Sequence, residues 1–200
     1  LGRLDEPSAV YWRGLDLVEP IEAAESGCLS IRSLPLPILR LRIDESARLV
    51  KRTSAGKQPI SPPLWLVQAV SCRGTYRPDV QPLSGIVTAP TLRPDGSVLQ
   101  RAGYDPQTHL VFRPDVAYPT IADRPTIDEV RRSAARLIQV VKDFPFRSVA
   151  DRSAWLALVL SLVGRSAVRG CVPLFAITAN VRGSGKSKLA DVAGLIAFGR

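Results

Sequence analysis

Eight residues near the end of the sequence have the types and spacing of a phosphate-binding loop: Asn180, Val181, Arg182, Gly183, Ser184, Gly185, Lys186 and Ser187. Gly183 and Gly185 would let the backbone curl with its amides pointing inward, with no Cβ to block phosphate groups. Lys186 would contact the β and γ phosphates, and the Ser187 hydroxyl would hold Mg²⁺. We therefore expect this loop to bind ATP, or a similar nucleoside triphosphate, together with Mg²⁺.

One position departs from the usual pattern of such loops, because Asn180 stands where the first glycine normally lies. Asn tolerates unusual backbone angles better than most residues, so the departure weakens the match only slightly. The alternative is a chance Gly-Ser-Gly-Lys-Ser loop. Arg182 and Lys188 add positive charge beside the motif, although such side chains are more often simply solvated.

The segments on either side of the loop fit the motif. Residues 172–179 form a nearly unbroken apolar run, which is typical of a strand buried on both faces of a parallel sheet. After the loop, Leu189, Val192, Ala193 and Ile196 share one face of a predicted helix. The order of strand, loop and helix is the order that a phosphate-loop domain requires.

Hydrolysis needs more than the loop, since an acidic residue on another strand must hold Mg²⁺ and position water. Asp191, within the predicted helix, is the only acid that follows the loop. The sequence starts at Leu1 without Met and stops at Arg200, and we interpret it as a fragment. We expect it to bind nucleotide poorly and not to hydrolyse it, with the catalytic residues unknown.

Two helices are predicted upstream of the loop. Thr126 and Glu129 form a capping box, and apolar residues then recur on one helical face up to Val141. Ser148 caps a second helix, which Gly164 ends. We interpret the apolar residues of both helices as core packing.

The first half of the chain indicates a mixed region with a small antiparallel sheet. Residues 10–12 and 15–18 predict two strands around Arg13-Gly14, residues 39–43 predict a half-exposed strand, and residues 44–51 predict a short helix. Residues 53–63 read as a loop, 64–72 as a helix, and 85–88, 97–99 and 110–112 as strands. The turns between these last strands are assigned to residues 93–96 and 103–108, and we expect His109 to be an exposed turn residue rather than a metal ligand.

Composition limits the partners. The net charge is +9, and residues 131–200 hold 12 Lys and Arg against 3 Asp and Glu, which favours polyanions such as nucleic acid or nucleotide phosphates. Of the 27 basic residues 22 are Arg, so biased codon usage explains the charge equally well.

Cys28, Cys72 and Cys171 lack metal-ligand spacing, which favours a reducing, cytoplasmic setting. The apolar run at residues 155–163 is too short to span a membrane.

The chain resembles the primase–helicase-like proteins of phages, plasmids and other mobile elements, whose ATPase is related to superfamily III helicases and the AAA+ group. The resemblance is carried by residues 78–85, Leu92-Arg93-Pro94-Asp95-Gly96, Gly103-Tyr104-Asp105, Asp143-Phe144-Pro145-Phe146, and Pro173-Leu174-Phe175 leading into Gly183-Ser184-Gly185-Lys186-Ser187. It implies an accessory region before an ATPase that unwinds DNA, commonly as a homo-oligomeric ring on single-stranded DNA. It also places Lys186 and Ser187 at the nucleotide and Mg²⁺ positions.

The expected fold class is therefore α/β. A mixed α+β accessory region over residues 1–115 precedes a linker and helical collar over 116–165 and the start of a parallel-sheet, AAA+-like P-loop core over 166–200. Two other functions stay open at this point. One is a different P-loop enzyme such as a kinase, which would need a substrate lid downstream. The other is a non-enzymatic DNA-binding or regulatory module with a degenerate loop.

Overall fold

Most strands of the chain are short, in keeping with its 17 Pro and 14 Gly residues, which interrupt regular structure. The computed structural model describes residues 10–23, 29–54, 56–76 and 80–199. Cys28 and Pro78 therefore lie outside the described residues. Cys72 and Cys171 are exposed free thiols.

The strands of the described residues are β1 (Tyr11–Arg13), β2 (Asp16–Glu22), β3 (Leu29–Ser33), β4 (Val50–Thr53), β5 (Gly56–Pro59), β6 (Gln81–Pro82), β7 (Gly85–Val87), β8 (Thr91–Leu92), β9 (Val98–Leu99), β10 (Gly103–Asp105) and β11 (Leu110–Phe112). The helices are α1 (Leu36–Ser46), α2 (Leu64–Ser71), α3 (Ile127–Val140), α4 (Val149–Val163) and α5 (Lys186–Phe198). The mixed α and β character that the sequence predicts is confirmed. None of these helices combines the length and apolar content that crossing a membrane would require.

The chain divides into two compact units. One comprises the described residues up to Ile86 together with His109–Val111, and the other comprises Val87–Thr108 and the residues from Phe112 onward. A three-stranded sheet has the strand order β10-β11-β7. The phosphate-loop motif lies in the second unit.

The first unit is built on a four-stranded sheet of order β3-β2-β1-β6. The predicted hairpin around Arg13-Gly14 is confirmed: β1 and β2 are antiparallel, with Trp12 opposite Leu17, and Gly14 adopts φ +64°. Glu19 and Arg32 lie opposite each other on β2 and β3 and form an ion pair. The buried residues Leu17, Leu34, Leu39, Val67 and Tyr76 form the core of this unit.

The strand predicted at residues 39–43 is wrong, because these residues lie inside α1. Leu39 belongs to the buried core, Leu36 and Ile43 pack against that core, and Leu41 is 53% exposed. Leu36, Leu39 and Ile43 are three and four positions apart, and residues at this spacing lie on one face of a helix. Pro at the first turn of α1 favours helical φ, and the tertiary contacts of Leu39 decide between the two patterns.

The helix predicted at residues 44–51 is also wrong, since α1 ends at Ser46 and Val50 begins β4. β4 pairs antiparallel with β5, from Val50 opposite Pro59 to Thr53 opposite Gly56. Residues 53–63 were predicted to be a loop because of their polar composition. These residues include β5. Because both strands of the β4–β5 ribbon are almost entirely exposed, no apolar face marks β5 in the sequence.

In the second unit, the predicted turn at residues 93–96 is confirmed. The Gly96 amide donates to the Arg93 carbonyl at 2.9 Å, Gly96 has φ +83°, and β8 pairs with β9. Hydrogen bonds from the Ser97 hydroxyl, from Gln107 and from the Ser97 amide lower the pKa of Asp95 to about 2. The turn is thus fixed by side chains as well as by its backbone.

Arg93 ties this hairpin to the next turn. Its Nε donates to Asp105 Oδ1 at 3.0 Å and its Nη1 to the Val98 carbonyl at 3.1 Å. The buried Asp105 also accepts from the amide and the hydroxyl of Thr108. Residues 103–108 were predicted to be a turn throughout, but 103–105 form β10 and the turn follows. His109 lies in that turn, as predicted, but it is partly buried rather than exposed, and its φ is +58°.

The predicted helix starts at Thr126 and Ser148 are confirmed. The Thr126 hydroxyl accepts from the Glu129 amide at 3.3 Å, and the Thr126 amide donates to Glu129 Oε2 at 2.7 Å. The bond from the Thr126 amide, together with a second bond from the Thr126 hydroxyl to the same carboxyl oxygen, lowers the pKa of Glu129. The interpretation of this apolar face as core packing is only partly right: Val141, directly after α3, is buried, but α3 itself has no buried residue, and Ile127 is 63% and Val130 46% exposed.

Replacing Thr126 by Ala removes the oxygen that satisfies a free amide at the start of α3. We expect Thr126→Ala to lower the free energy of unfolding by about 1 kcal/mol, measured by urea denaturation. Thr126→Ser keeps the hydroxyl and serves as the control, with stability near that of the unchanged chain. Equal losses in both variants would show that the cap is not the source of the effect.

Candidate phosphate-binding site

The position of the loop is set by the packing of α4 against α5. Leu189 and Ala193 of α5 are buried together with Trp155 and Val159 of α4 and with Val141. The Trp155 Nε1 group donates to the Leu189 carbonyl at 3.2 Å, so the indole is both buried and hydrogen bonded. The apolar face that the sequence predicts for the last helix therefore exists, and it fixes the start of α5.

Two threonines satisfy the carboxyl ends of these helices. Thr91 Oγ1 donates to the Val163 carbonyl at the end of α4 at 2.8 Å. Thr88 Oγ1 donates to the Phe198 carbonyl at the end of α5 at 2.6 Å. The last carbonyls of a helix lack partners within the helix, so these bonds hold both helices in place without using the amino end of α5.

Both glycines of the loop adopt left-handed backbone angles, with φ +78° at Gly183 and φ +83° at Gly185. Other residues adopt such angles at a cost, which explains the choice of glycine. A Cβ on Gly183 would meet no atom within 4 Å, so space is open beside its backbone. Gly185 is the residue that precedes the first turn of α5, and the first helical hydrogen bond runs from the Leu189 amide to its carbonyl at 3.0 Å.

The structure places the predicted site residues in one continuous turn that leads into α5. Asn180, Val181, Arg182, Gly183 and Ser187 are exposed, and Ser184, Gly185 and Lys186 are partly buried. Among the described residues, His109 is the one non-glycine with a left-handed φ. Asn180 therefore does not adopt the unusual backbone angles that Asn tolerates better than most residues. Lys186 and Ser187 are the first two residues of the helix, as the motif requires.

The buried parallel strand predicted at residues 172–179 is wrong. No residue of this segment belongs to a strand, and Leu174 is 96% exposed. A strand has no hydrogen bonds of its own and forms only beside a partner, and no described strand pairs with this segment. Only part of the run is covered: Val172, Phe175 and Ile177 are partly buried, and Ile177 packs against the α4–α5 core.

The amino end of α5 is strongly positive. The first four amides of a helix have no partner within it, and the helix dipole adds positive potential there. The first turn contains Lys186 and Lys188 and no acidic residue. Lysines at this end are unfavourable for the isolated helix, and a bound anion would offset this cost because it attracts both the lysines and the free amides.

The residues present fit a phosphate group and one Mg²⁺ contact. The open space beside Gly183 leaves the backbone accessible to phosphate oxygens, and the exposed Ser187 hydroxyl is a suitable oxygen ligand for Mg²⁺. Within the described ranges, no group of three or more His, Cys, Asp and Glu side chains could hold a metal ion by itself. A magnesium ion here would depend on phosphate oxygens and water for its other ligands.

Sequence reasoning missed two features of the site. The first is the Ser184 hydroxyl, which is buried without a hydrogen-bond partner. The second is Phe144, whose ring lies against Gly185, 41 positions away in the sequence: a Cβ on that glycine would be 3.3 Å from Cε2 of the ring. In the sequence, Asp143-Phe144-Pro145-Phe146 serves only as one of the motifs of the family resemblance, and no local pattern signals a contact over that separation.

The buried hydroxyl of Ser184 generates a prediction for the free protein. An unsatisfied buried hydroxyl costs free energy, so we expect Ser184→Ala to raise the free energy of unfolding by about 1 kcal/mol, measured by urea denaturation without ligand. The matched control is Ser153→Ala, since Ser153 is exposed and donates to the Val149 carbonyl at 3.0 Å. A clear loss of stability in Ser184→Ala would contradict the assignment of its hydroxyl as unsatisfied.

Comparison of the chain with protein-family models, with curated proteins and with solved structures found no match.

Proposed function

We propose that residues 180–187 bind ATP, or another nucleoside triphosphate, with Mg²⁺, and that the chain is the nucleotide-binding part of a mobile-element DNA helicase. One observation carries the nucleotide proposal. Two left-handed glycines, Gly183 and Gly185, lead directly into a helix whose first residue is Lys186. This is the order that allows backbone amides, a helix dipole and a lysine to face the same anion.

The charges of the loop support a phosphate ligand over a neutral one. Arg182, Lys186 and Lys188 lie within seven positions and no acidic residue lies among them. Lys186 is partly buried, whereas Lys188 is exposed. A partly buried lysine loses hydration and gains more from an anion than an exposed one does, which assigns the main charge contact to Lys186.

Ser187, at the start of α5, is the residue of the loop that would hold Mg²⁺. Ser187 would supply one oxygen ligand through its hydroxyl, and the remaining ligands would come from phosphate oxygens and water. When bound, the ion neutralises phosphate charge. The part of this chain is to orient the phosphates with the amides around Gly183 and Gly185 and with Lys186.

The two lysines of the first turn allow a controlled test of nucleotide binding. Lys186→Ala removes a charge-assisted contact, so we expect the affinity for Mg·ATP to fall at least about tenfold by isothermal titration calorimetry. Lys188→Ala removes the same charge two residues later from an exposed position, and we expect a change of less than about threefold. Equal losses in both variants would indicate general charge attraction, and absent binding in the unchanged chain would disprove the proposal.

The helicase proposal rests on the family resemblance and on the basic charge of the second unit. Arg131, Arg132 and Arg136 of α3 are exposed, and the last two lie four residues apart on one face. Such a face suits the phosphate backbone of single-stranded DNA, which is bound through charge and without sequence preference. The proposal includes a homo-oligomeric ring, the arrangement that the resemblance implies.

ATP hydrolysis tests this part of the proposal in the whole protein that carries the chain. We expect single-stranded DNA to stimulate hydrolysis, and Lys186→Ala to abolish both hydrolysis and strand displacement on a forked duplex, with Lys188→Ala as the control. Hydrolysis that ignores DNA, or transfer of the phosphoryl group to a small molecule, would replace the helicase by another P-loop enzyme.

A second candidate is a DNA-binding module in which nucleotide plays no part. It is favoured by the exposed arginines of α3 and by residues 172–179, which form no strand beside the loop. In that case single-stranded DNA would bind with a steep salt dependence, and Mg·ATP or Lys186→Ala would leave the affinity unchanged. The helicase predicts instead that nucleotide changes the affinity for DNA.

A further inference from the structure

We propose that Phe144 is a positioning residue for the phosphate loop, whose ring restricts the backbone of Gly185 and so prepares the loop for its anion. The inference rests on the proposed nucleotide site and deepens it. Phe144 touches no substrate in this proposal and acts only through the glycine.

The ring of Phe144 occupies the space into which a side chain on Gly185 would extend. A Cβ placed on Gly185 would lie 3.3 Å from Cε2 of Phe144, whereas one on Gly183 would meet nothing within 4 Å. The two glycines have similar left-handed angles, so the difference between them lies in their surroundings. Gly183 lies beside open space, and Gly185 lies beside the ring of Phe144.

Phe144 is itself held in place by its neighbours. Its amide donates to the Val141 carbonyl at 3.1 Å, and its carbonyl accepts from the Phe146 amide at 2.8 Å. The rings of Phe144 and Phe146 are tilted, with centroids 5.0 Å apart. Both rings pack against the buried core that contains Val141 and Trp155. The Phe144 ring beside Gly185 therefore packs against the same buried core that holds α5.

The physical effect is on the freedom of the loop. Glycine has the greatest backbone freedom of all residues, so fixing its backbone costs more conformational entropy than fixing that of another residue. Where the ring already restricts Gly185, that cost is met on folding and not when the anion binds. Without the ring, affinity for a phosphate ligand should fall by about tenfold.

The chain offers a matched control, because Phe146 is also partly buried, packs against the same core and lies two residues away. The variants are Phe144→Leu, which keeps apolar volume but loses the ring edge, Phe144→Tyr, which keeps the ring, and Phe146→Leu. For each, three quantities are measured: amide hydrogen exchange of residues 182–187 without nucleotide, the affinity for Mg·ATP, and the free energy of unfolding.

We expect Phe144→Leu to speed exchange in the loop by about tenfold and to weaken Mg·ATP binding by a similar factor. Phe146→Leu should lower global stability as much while leaving both loop readouts within about threefold, and Phe144→Tyr should match the unchanged chain. Equal loop effects in Phe144→Leu and Phe146→Leu, or none in either, would overturn the inference. If the unchanged chain fails to bind Mg·ATP, the proposed function fails, and exchange alone then decides whether Phe144 positions Gly185.

Discussion

The packing of α4 against α5 is the constraint on which the second unit depends. Trp155 lies at its centre, buried among Val159, Leu189 and Ala193 and hydrogen bonded to a carbonyl of α5. Because the indole satisfies its own donor, the contact gains the full apolar burial of the ring without a polar penalty. Fixing α5 at this point also fixes where the helix begins, and the loop is the segment immediately before that beginning.

Local rules of stability are observed in most of the second unit and broken together in the loop. The buried carboxylate of Asp105 is paired with Arg93 and accepts two bonds from Thr108, and Thr126 caps α3. In the loop, by contrast, Lys186 lies at the positive end of a helix and the Ser184 hydroxyl is buried without a partner. Proteins tend to break such rules where they bind or react.

The two wrong strand predictions share a cause. Residues 39–43 alternate like a strand but belong to a helix, and residues 172–179 read as a buried strand but pair with nothing in the described part of the chain. Both are apolar patterns whose meaning depends on what lies beside them. A strand needs a neighbour for its hydrogen bonds, and an apolar residue needs a surface against which to be buried, and neither is visible in a short window of sequence. The exposed Ile127 of α3 shows the same limit.

The sequence by itself determined the features that arise within a few residues: the hairpin around Gly14, the turn at Gly96, the cap at Thr126, and a loop that must turn at Gly183 before a helix begins at Lys186. Turns and helix caps depend on hydrogen bonds between residues two to five positions apart and on backbone angles of single residues, and both are set by the residue types. Only the tertiary structure decided that the ring of Phe144 lies beside Gly185 while the space beside Gly183 is open. Contacts between segments that are distant in sequence depend on how whole helices pack.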